Sequence, residues 1–426
     1  MLGLRIIVSM VTGMKTARLS PPIRWATLGA AGLLVVGCSS DSGTTPDASS
    51  GDVSPAASVE EVSAPQSRVV LTYDGGVLVL DAGTLEVVGD HEKDGFLRVN
   101  AAGDGRHALV TTDEGFQVLD TGVWTDGGTS YAGDPELTDD VFAADTAGHV
   151  VVHGDRTVLF ADGTGDITSF ETAALRSSEG LPETEEWTSE EAHHGVAIEL
   201  EDGSMLSTLG NEDGRSGVRV LDASGAEVAR NEECPGVHGE GTVAGEVAVF
   251  GCEDGVLVYD GEFAKLTAPD EFGRTGNVFT TETSPVALGD YKSDPDLEGY
   301  LLSDIALVDT AAPGLTVVPL PEGVRYTFRD LARGPQDEAV VLGSDGALHL
   351  FDEESGELLE SHPVIDAWEG PAEWQDPHPA LKVVDGIAYV TEPAANAVHA
   401  VDLATGEVLA TGELDVTPNE IAVVTG

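Results

Sequence analysis

Apolar and polar positions alternate in short bursts along most of this chain. From about residue 66 onward, runs dense in Val, Leu, Ile and Thr stop at Gly or Asp-Gly and then resume, the pattern of strands joined by tight turns rather than of helices. The bursts pair into a recurring string: an apolar strand, a turn, and a second apolar strand ending in Asp. It runs from Arg68 to Asp81, from His107 to Asp120, from His149 to Asp162, from Glu246 to Asp260, from Glu338 to Asp352 and from Ile387 to Asp402. Looser copies run from Ala197 to Asp222 and from Pro285 to Asp309. Units of about 40 residues, each a small antiparallel meander, predict an all-β β-propeller, because a single meander leaves both faces uncovered until neighbours stack on it. The repeats predict eight blades, with seven as the alternative. The last apolar segment, Asn419 to Thr425, has no hairpin of its own, and the first hairpin at Arg68 has no inner strand. Together they complete one blade, so N- and C-terminal strands close the ring and remove its open edge.

Composition supports this fold and narrows the partners. The chain has 426 residues with 52 Gly and 21 Pro, and 76 acidic against 20 basic residues, for a net charge of −56. A surface this acidic repels polyanions, which excludes nucleic acid. The chain divides into three stretches. Residues 1–37 carry Arg5, Lys15, Arg18 and Arg24, no acid, and an apolar run from Trp25 to Val36 that leads to Gly37-Cys38. That run is too short for an ordinary membrane span and has the form of a bacterial lipoprotein signal, with Cys38 as the lipidated residue. Residues 38–65 are Ser, Thr, Ala, Asp, Gly and Pro with almost no bulky apolar group. They are expected to be a disordered tether, because they bury too little to offset their ordering entropy. Residues 66–426 form the propeller, expected to act as a monomer at the outer face of the membrane. With Cys38 committed to lipid, Cys234 and Cys252 remain as a disulfide candidate for an oxidising compartment.

The candidate chemistry comes from the residue that opens the innermost strand of each blade, where side chains face the mouth of the central channel. By repeat alignment these are Arg98, Asp140, His194, His238, Asn277, Arg329, His378 and Asn419. Histidines at equivalent positions converge on one axis, and imidazoles with a carboxylate are a ligand set that Zn2+ accepts. The predicted metal ligands are therefore His194, His238 and His378, with Asp140 as the fourth, and His193, Glu240 and Asp376 orient them from behind. Arg98 and Arg329 oppose a cation on the same rim unless they pair with Asp330 or Glu420. His107, His149 and His153 stand at hairpin starts and form a possible second metal site at the opposite face. No Gly-x-Ser-x-Gly, HExxH or P-loop motif is present.

The stretches His193-His194-Gly195-Val196, Glu233-Cys234-Pro235-Gly236-Val237-His238-Gly239-Glu240, Phe250-Gly251-Cys252-Glu253-Asp254-Gly255 and Pro377-His378-Pro379 resemble the AztD-type zinc metallochaperones. The resemblance covers about residues 66 to 426 and is most specific in the Cys-Pro-Gly-x-His-Gly-Glu stretch. It implies an extracytoplasmic propeller that is not an enzyme and that hands zinc to the solute-binding protein of a zinc ABC importer. It also implies zinc on His194, His238 and His378. One departure is that no histidine lies between Ser39 and Asp90, where a metal-capturing segment would carry them. Two other functions fit the pattern of residues. One is a metal-dependent propeller hydrolase or lactonase using a metal-bound water, and the other is a propeller interaction scaffold.

Overall fold

A computed structural model describes residues 59–426. The expected signal segment, Cys38 and most of the expected tether lie outside the described residues. Eight antiparallel meanders of four strands follow one another along the chain, and the one that begins at His238 carries a short fifth strand, Gly273–Arg274, paired parallel to Asp254–Tyr259. Blade 1 consists of Ile421–Thr425, Ser67–Tyr73, Gly76–Asp81 and Val87–Glu92, from the inside outward. Blades 2 to 8 begin on their inner strands at Arg98–Ala101, Ala147–His153, Ala197–Glu199, His238–Val243, Val278–Phe279, Leu331–Arg333 and Leu381–Val384. The two chain ends meet as expected: Ser67 pairs with Thr425 and Leu71 with Ile421.

Eight buried apolar clusters show how the blades hold one another. Each joins two consecutive blades. Val70 and Val79 pack with Val99 and Val110, Leu109 and Phe116 with Leu159 and Phe170, and Val158 and Phe160 with Ala197 and Met205. The series continues with Val218 and Val220 against Phe250 and Leu257, Val249 and Val256 against Ala287 and Val308, and Leu288 and Leu307 against Leu331 and Val341. Val340 and Leu348 then pack with Ala388 and Val401, and Tyr389 and Val398 with Leu71 and Leu80, which returns to blade 1. The ring is closed, and no sheet face in it is left without an apolar neighbour.

The aspartate that ends so many strands has a structural task. The carboxylates of Asp81, Asp222, Asp309, Asp352 and Asp402 each accept backbone N–H bonds from the turn that follows, the local closure that makes Asp a turn residue.

Two features depart from the sequence-based expectation. Glu60–Val62, inside the stretch expected to be tether, forms a strand against Thr129–Ala132, which pairs in turn with Val123–Asp126. Trp124 and Tyr131 stack on this small sheet, and the Arg106 guanidinium lies over Trp124. This extra hairpin interrupts blade 2 before its outer strand, Glu136–Ala143. The repeat alignment takes that outer strand as the opening of blade 3 and so slips by one strand. Asp140 therefore lies on the outer edge of blade 2 and not at the channel, whereas the stretch from His149, expected to be an outer hairpin, supplies the innermost strand of blade 3.

Candidate metal centre

Inner strands all run from one face of the ring, so their first residues gather at one mouth. Three imidazoles meet there: His149 from blade 3, His194 from the turn before the inner strand of blade 4, and His238 from the first position of blade 5. One ring nitrogen of each lies within 4.8 Å of the others, and the ring centroids are 5.0, 5.0 and 5.2 Å apart.

Two of these histidines are aimed by irregular backbone. Pairing in blade 3 runs from Ala147 with Ala161 directly to Val150 with Leu159, so Gly148 and His149 form a bulge. In blade 5 it runs from His238 with Gly251 to Glu240 with Phe250, which leaves a bulge at Gly239. Bulges re-aim side chains, and each of these carries a glycine. A side chain on Gly148 would strike the Asp162 carboxylate. Gly239 has φ +74°, and a Cβ there would stand 2.8 Å from the α-carbon of Asn277.

The other nitrogen of each ring is engaged or approached by a fixed group. His194 Nδ1–H donates to Asp162 Oδ2 at 2.5 Å, and His238 Nδ1–H donates to the Gly276 carbonyl. Nδ1 of His149 lies 3.6 Å from Glu240 Oε1, and its Nε2 is buried without a partner. Holding Nδ1–H in this way leaves the Nε2 lone pair for a metal. The Nε2 atoms of His194 and His238 face each other at 2.9 Å, so two lone pairs meet where only a proton or a cation relieves their repulsion. Burial, assisted by His149, His194 and Arg215, holds the His238 pKa well below its ordinary value, so this ring is neutral and able to ligate at neutral pH. A Zn–N bond of about 2.0–2.1 Å in tetrahedral geometry places nitrogens about 3.3 Å apart, a spacing that lies between the 2.9 Å of the His194–His238 pair and the 4.8 Å bound on the whole group.

The remaining expected ligands do not join this group. His378 is buried beside Phe328, its Nδ1–H donates to the Asp376 carbonyl, and its Nε2 has no partner. Asp376 turns its carboxylate to the backbone of Glu373. His193 is locked in the core between the Glu191 carbonyl and the Thr208 hydroxyl, so it supports the turn and not a metal. Of the three residues expected to orient ligands, Glu240 is the one that faces an imidazole of the group. The expected second cluster separates: His107 pairs with Asp104, His153 with Glu246 and Thr242, and His149 belongs to the mouth. Asp162 is the functional residue that sequence reasoning misses. It occupies the terminal position that elsewhere closes a turn, but in blade 3 that position ends the second strand, which returns to the mouth. Gly148, next to His149, carried the signal.

Cys234 and Cys252 form a disulfide. It ties the loop leading into His238 to the end of the neighbouring strand, and Glu253 N–H also donates to the Pro235 carbonyl.

No family model matches the chain. Over 224 residues it is 28% identical to the zinc chaperone AztD of Citrobacter koseri, which covers 49% of this chain and 50% of that protein. The chain thus spans about half the length of the curated relative it matches. Two crystal structures of Citrobacter koseri AztD, one of them the apo form, superpose with a TM-score of 0.71 at 21% identity. They cover 85% of this chain and 98% and 99% of theirs. The chain is AztD-like in sequence and fold. The likeness in fold extends over the whole ring, whereas the match in sequence covers about half of it.

Proposed function

We propose that this protein is an extracytoplasmic zinc carrier, anchored to the membrane through a lipidated Cys38, that hands zinc to the solute-binding protein of a zinc ABC importer. The observation that carries this reading is the convergence of His149, His194 and His238 with Nδ1–H of two of them held by Asp162 and Gly276. The similarity to the Citrobacter koseri zinc chaperone AztD supports it. Outside the cytoplasm thiolates oxidise, so imidazoles are the practical ligands for a mobile zinc ion. His194 is 45% exposed, which leaves the ion within reach of a partner that replaces ligands one at a time.

Three histidines with an open fourth position also occur in catalytic zinc sites, which keeps a hydrolase as the competing reading. The carboxylate bonded to the group favours the carrier: Asp162 is engaged by His194 Nδ1–H, so it is not free to serve as a general base for a metal-bound water. Metal analysis of the purified protein tests the site. Wild type is expected to retain close to one zinc ion, and the variant with His149→Ala, His194→Ala and His238→Ala to retain none, while His378→Ala binds as wild type does. Unchanged stoichiometry in the triple variant removes the site. Stopped-flow transfer to the importer's binding protein tests the role: transfer must be faster than spontaneous loss to a chelator. Transfer at the spontaneous rate, with zinc-dependent hydrolysis, establishes the enzyme instead.

A further inference from the structure

The mouth has a second half with the opposite chemistry. Blades 3, 4 and 5 supply the histidines, whereas the inner strands of blades 1, 2, 6, 7 and 8 enclose a cavity of about 150 Å³. Arg98, Arg329 and Lys382 line it with a single carboxylate, Glu420. Both arginines use that carboxylate: Arg98 Nε and Arg329 Nη2 each donate to Glu420 Oε1 at 3.1 Å. Glu420 is therefore spent, and Lys382 makes no ion pair or hydrogen bond among the described residues. Arg329 is buried, donates to Asn419 Oδ1 at 2.6 Å and to the Trp374 carbonyl at 3.2 Å, and keeps its Nε–H buried without an acceptor. Lys382 is exposed to the channel and stands with Arg98 and Arg329 around this one carboxylate.

Three cations against one anion, in a chain with net charge −56, run against the sign of the whole molecule. Like charges around one cavity repel, and the buried Arg329 guanidinium with its unmatched Nε–H is costly to hold there unless an opposite charge joins them. We propose that this half of the mouth binds a small oxyanion of the phosphate or carboxylate class, held by Lys382, Arg329 and Arg98, with the Asn100 segment closing the cavity. The cavity suits a compact ion and excludes an extended polymer. The proposal is independent of zinc binding, since it uses none of the three histidines.

Isothermal titration of the purified chain with inorganic phosphate and, separately, with malonate tests it, with sodium chloride at matched ionic strength as the control. Saturable one-to-one binding of phosphate or malonate is expected. Lys382→Met should weaken it by about tenfold or more, the scale of one charged hydrogen bond, and Lys382→Arg should retain most of it. Asn100→Leu, which narrows the cavity without altering its charge, should likewise weaken binding by about tenfold or more, and it stands as the second variant if Lys382→Met does not fold. Zinc stoichiometry should be unchanged in each variant. The proposal is overturned if neither anion saturates by about 10 mM, if chloride binds equally well, or if folded Lys382→Met or Asn100→Leu binds as wild type does.

Discussion

The bulge at Gly239 links the fold to the metal centre, and replacing Gly239 with Ala measures that link. The left-handed backbone, φ +74°, costs a residue with a Cβ about 1–2 kcal/mol. The new Cβ would also lie 2.8 Å from both Asn277 Cα and the Gly276 carbonyl oxygen and 2.9 Å from Asn277 N. All three are backbone atoms that cannot rotate aside, so the strand must shift at about 1–3 kcal/mol, as in an overpacked core. Together these give a loss of roughly 3 kcal/mol. The same shift displaces the carbonyl that accepts the His238 Nδ1–H bond, and loss of such a support typically lowers metal affinity by about 10–100-fold. Gly245 is the control. It lies just beyond the other end of the same strand with φ +80°, and a Cβ there would meet nothing within 4 Å, so Gly245→Ala should cost only the conformational share and leave zinc affinity alone. Denaturant midpoints and chelator competition on both variants provide the comparison. Equal destabilisation in the two, or wild-type zinc affinity in Gly239→Ala, refutes the claim that this bulge positions a ligand.

Two other perturbations separate the roles of nearby groups. Asp162→Asn removes the charge behind His194 but keeps an oxygen able to accept Nδ1–H, so zinc affinity measured by competition should fall by about tenfold with little change in melting temperature. His378 is held neutral, with its pKa lowered to about 4 by burial and then by Arg329; the unfolded chain takes up this proton first as pH falls, so stability should be lost between about pH 6.5 and 4, by about 3 kcal/mol in total, and His378→Phe should flatten that part of a denaturation-versus-pH profile.

Most of the ring was legible because its signals are local. Alternating apolar residues specify each strand, and the terminal aspartates that bind their own turns mark where strands stop. The unpaired last segment at Ile421 could be matched to the unpaired first hairpin without any coordinates. What misled was also local. The hairpin at Val123–Ala132 satisfies its own hydrogen bonds and adds a pair of strands that the repeat does not need, so the count slipped in blade 3 while remaining right in total. The slip moved His149 to the wrong face and put Asp140 in its place. His194 and His238 stand at the mouth where the repeat positions them, because blades 4 and 5 carry no such insertion. His378 occupies the equivalent position in blade 8, but the rings of blades 3, 4 and 5 are adjacent whereas blade 8 lies on the far side of the mouth. Equivalence in a repeat gives the height along the axis and the direction inward; it does not give the distance across the channel.

That distance explains why one mouth can hold both chemistries. Three adjacent blades bring imidazoles within ligand range, while Arg329 and Lys382 turn inward from blades 7 and 8 across the mouth and Arg98 from blade 2 beside it. Cations next to a metal site would weaken it by direct repulsion, an effect that falls with distance and with screening. Arg98 and Arg329 are already neutralised in part by sharing Glu420, and Arg215, the cation closer to the rings, donates to the His194 carbonyl rather than standing between nitrogens. The balance also constrains release. His149 Nε2 is buried, whereas His194 is the most exposed ring of the three, so on the carrier reading a partner's ligand approaches from the His194 side and His149 is the last to let go. A His194→Ala carrier would then still load weakly but transfer without the advantage of direct exchange, whereas His149→Ala would fail at loading, and the two defects separate in a stopped-flow trace.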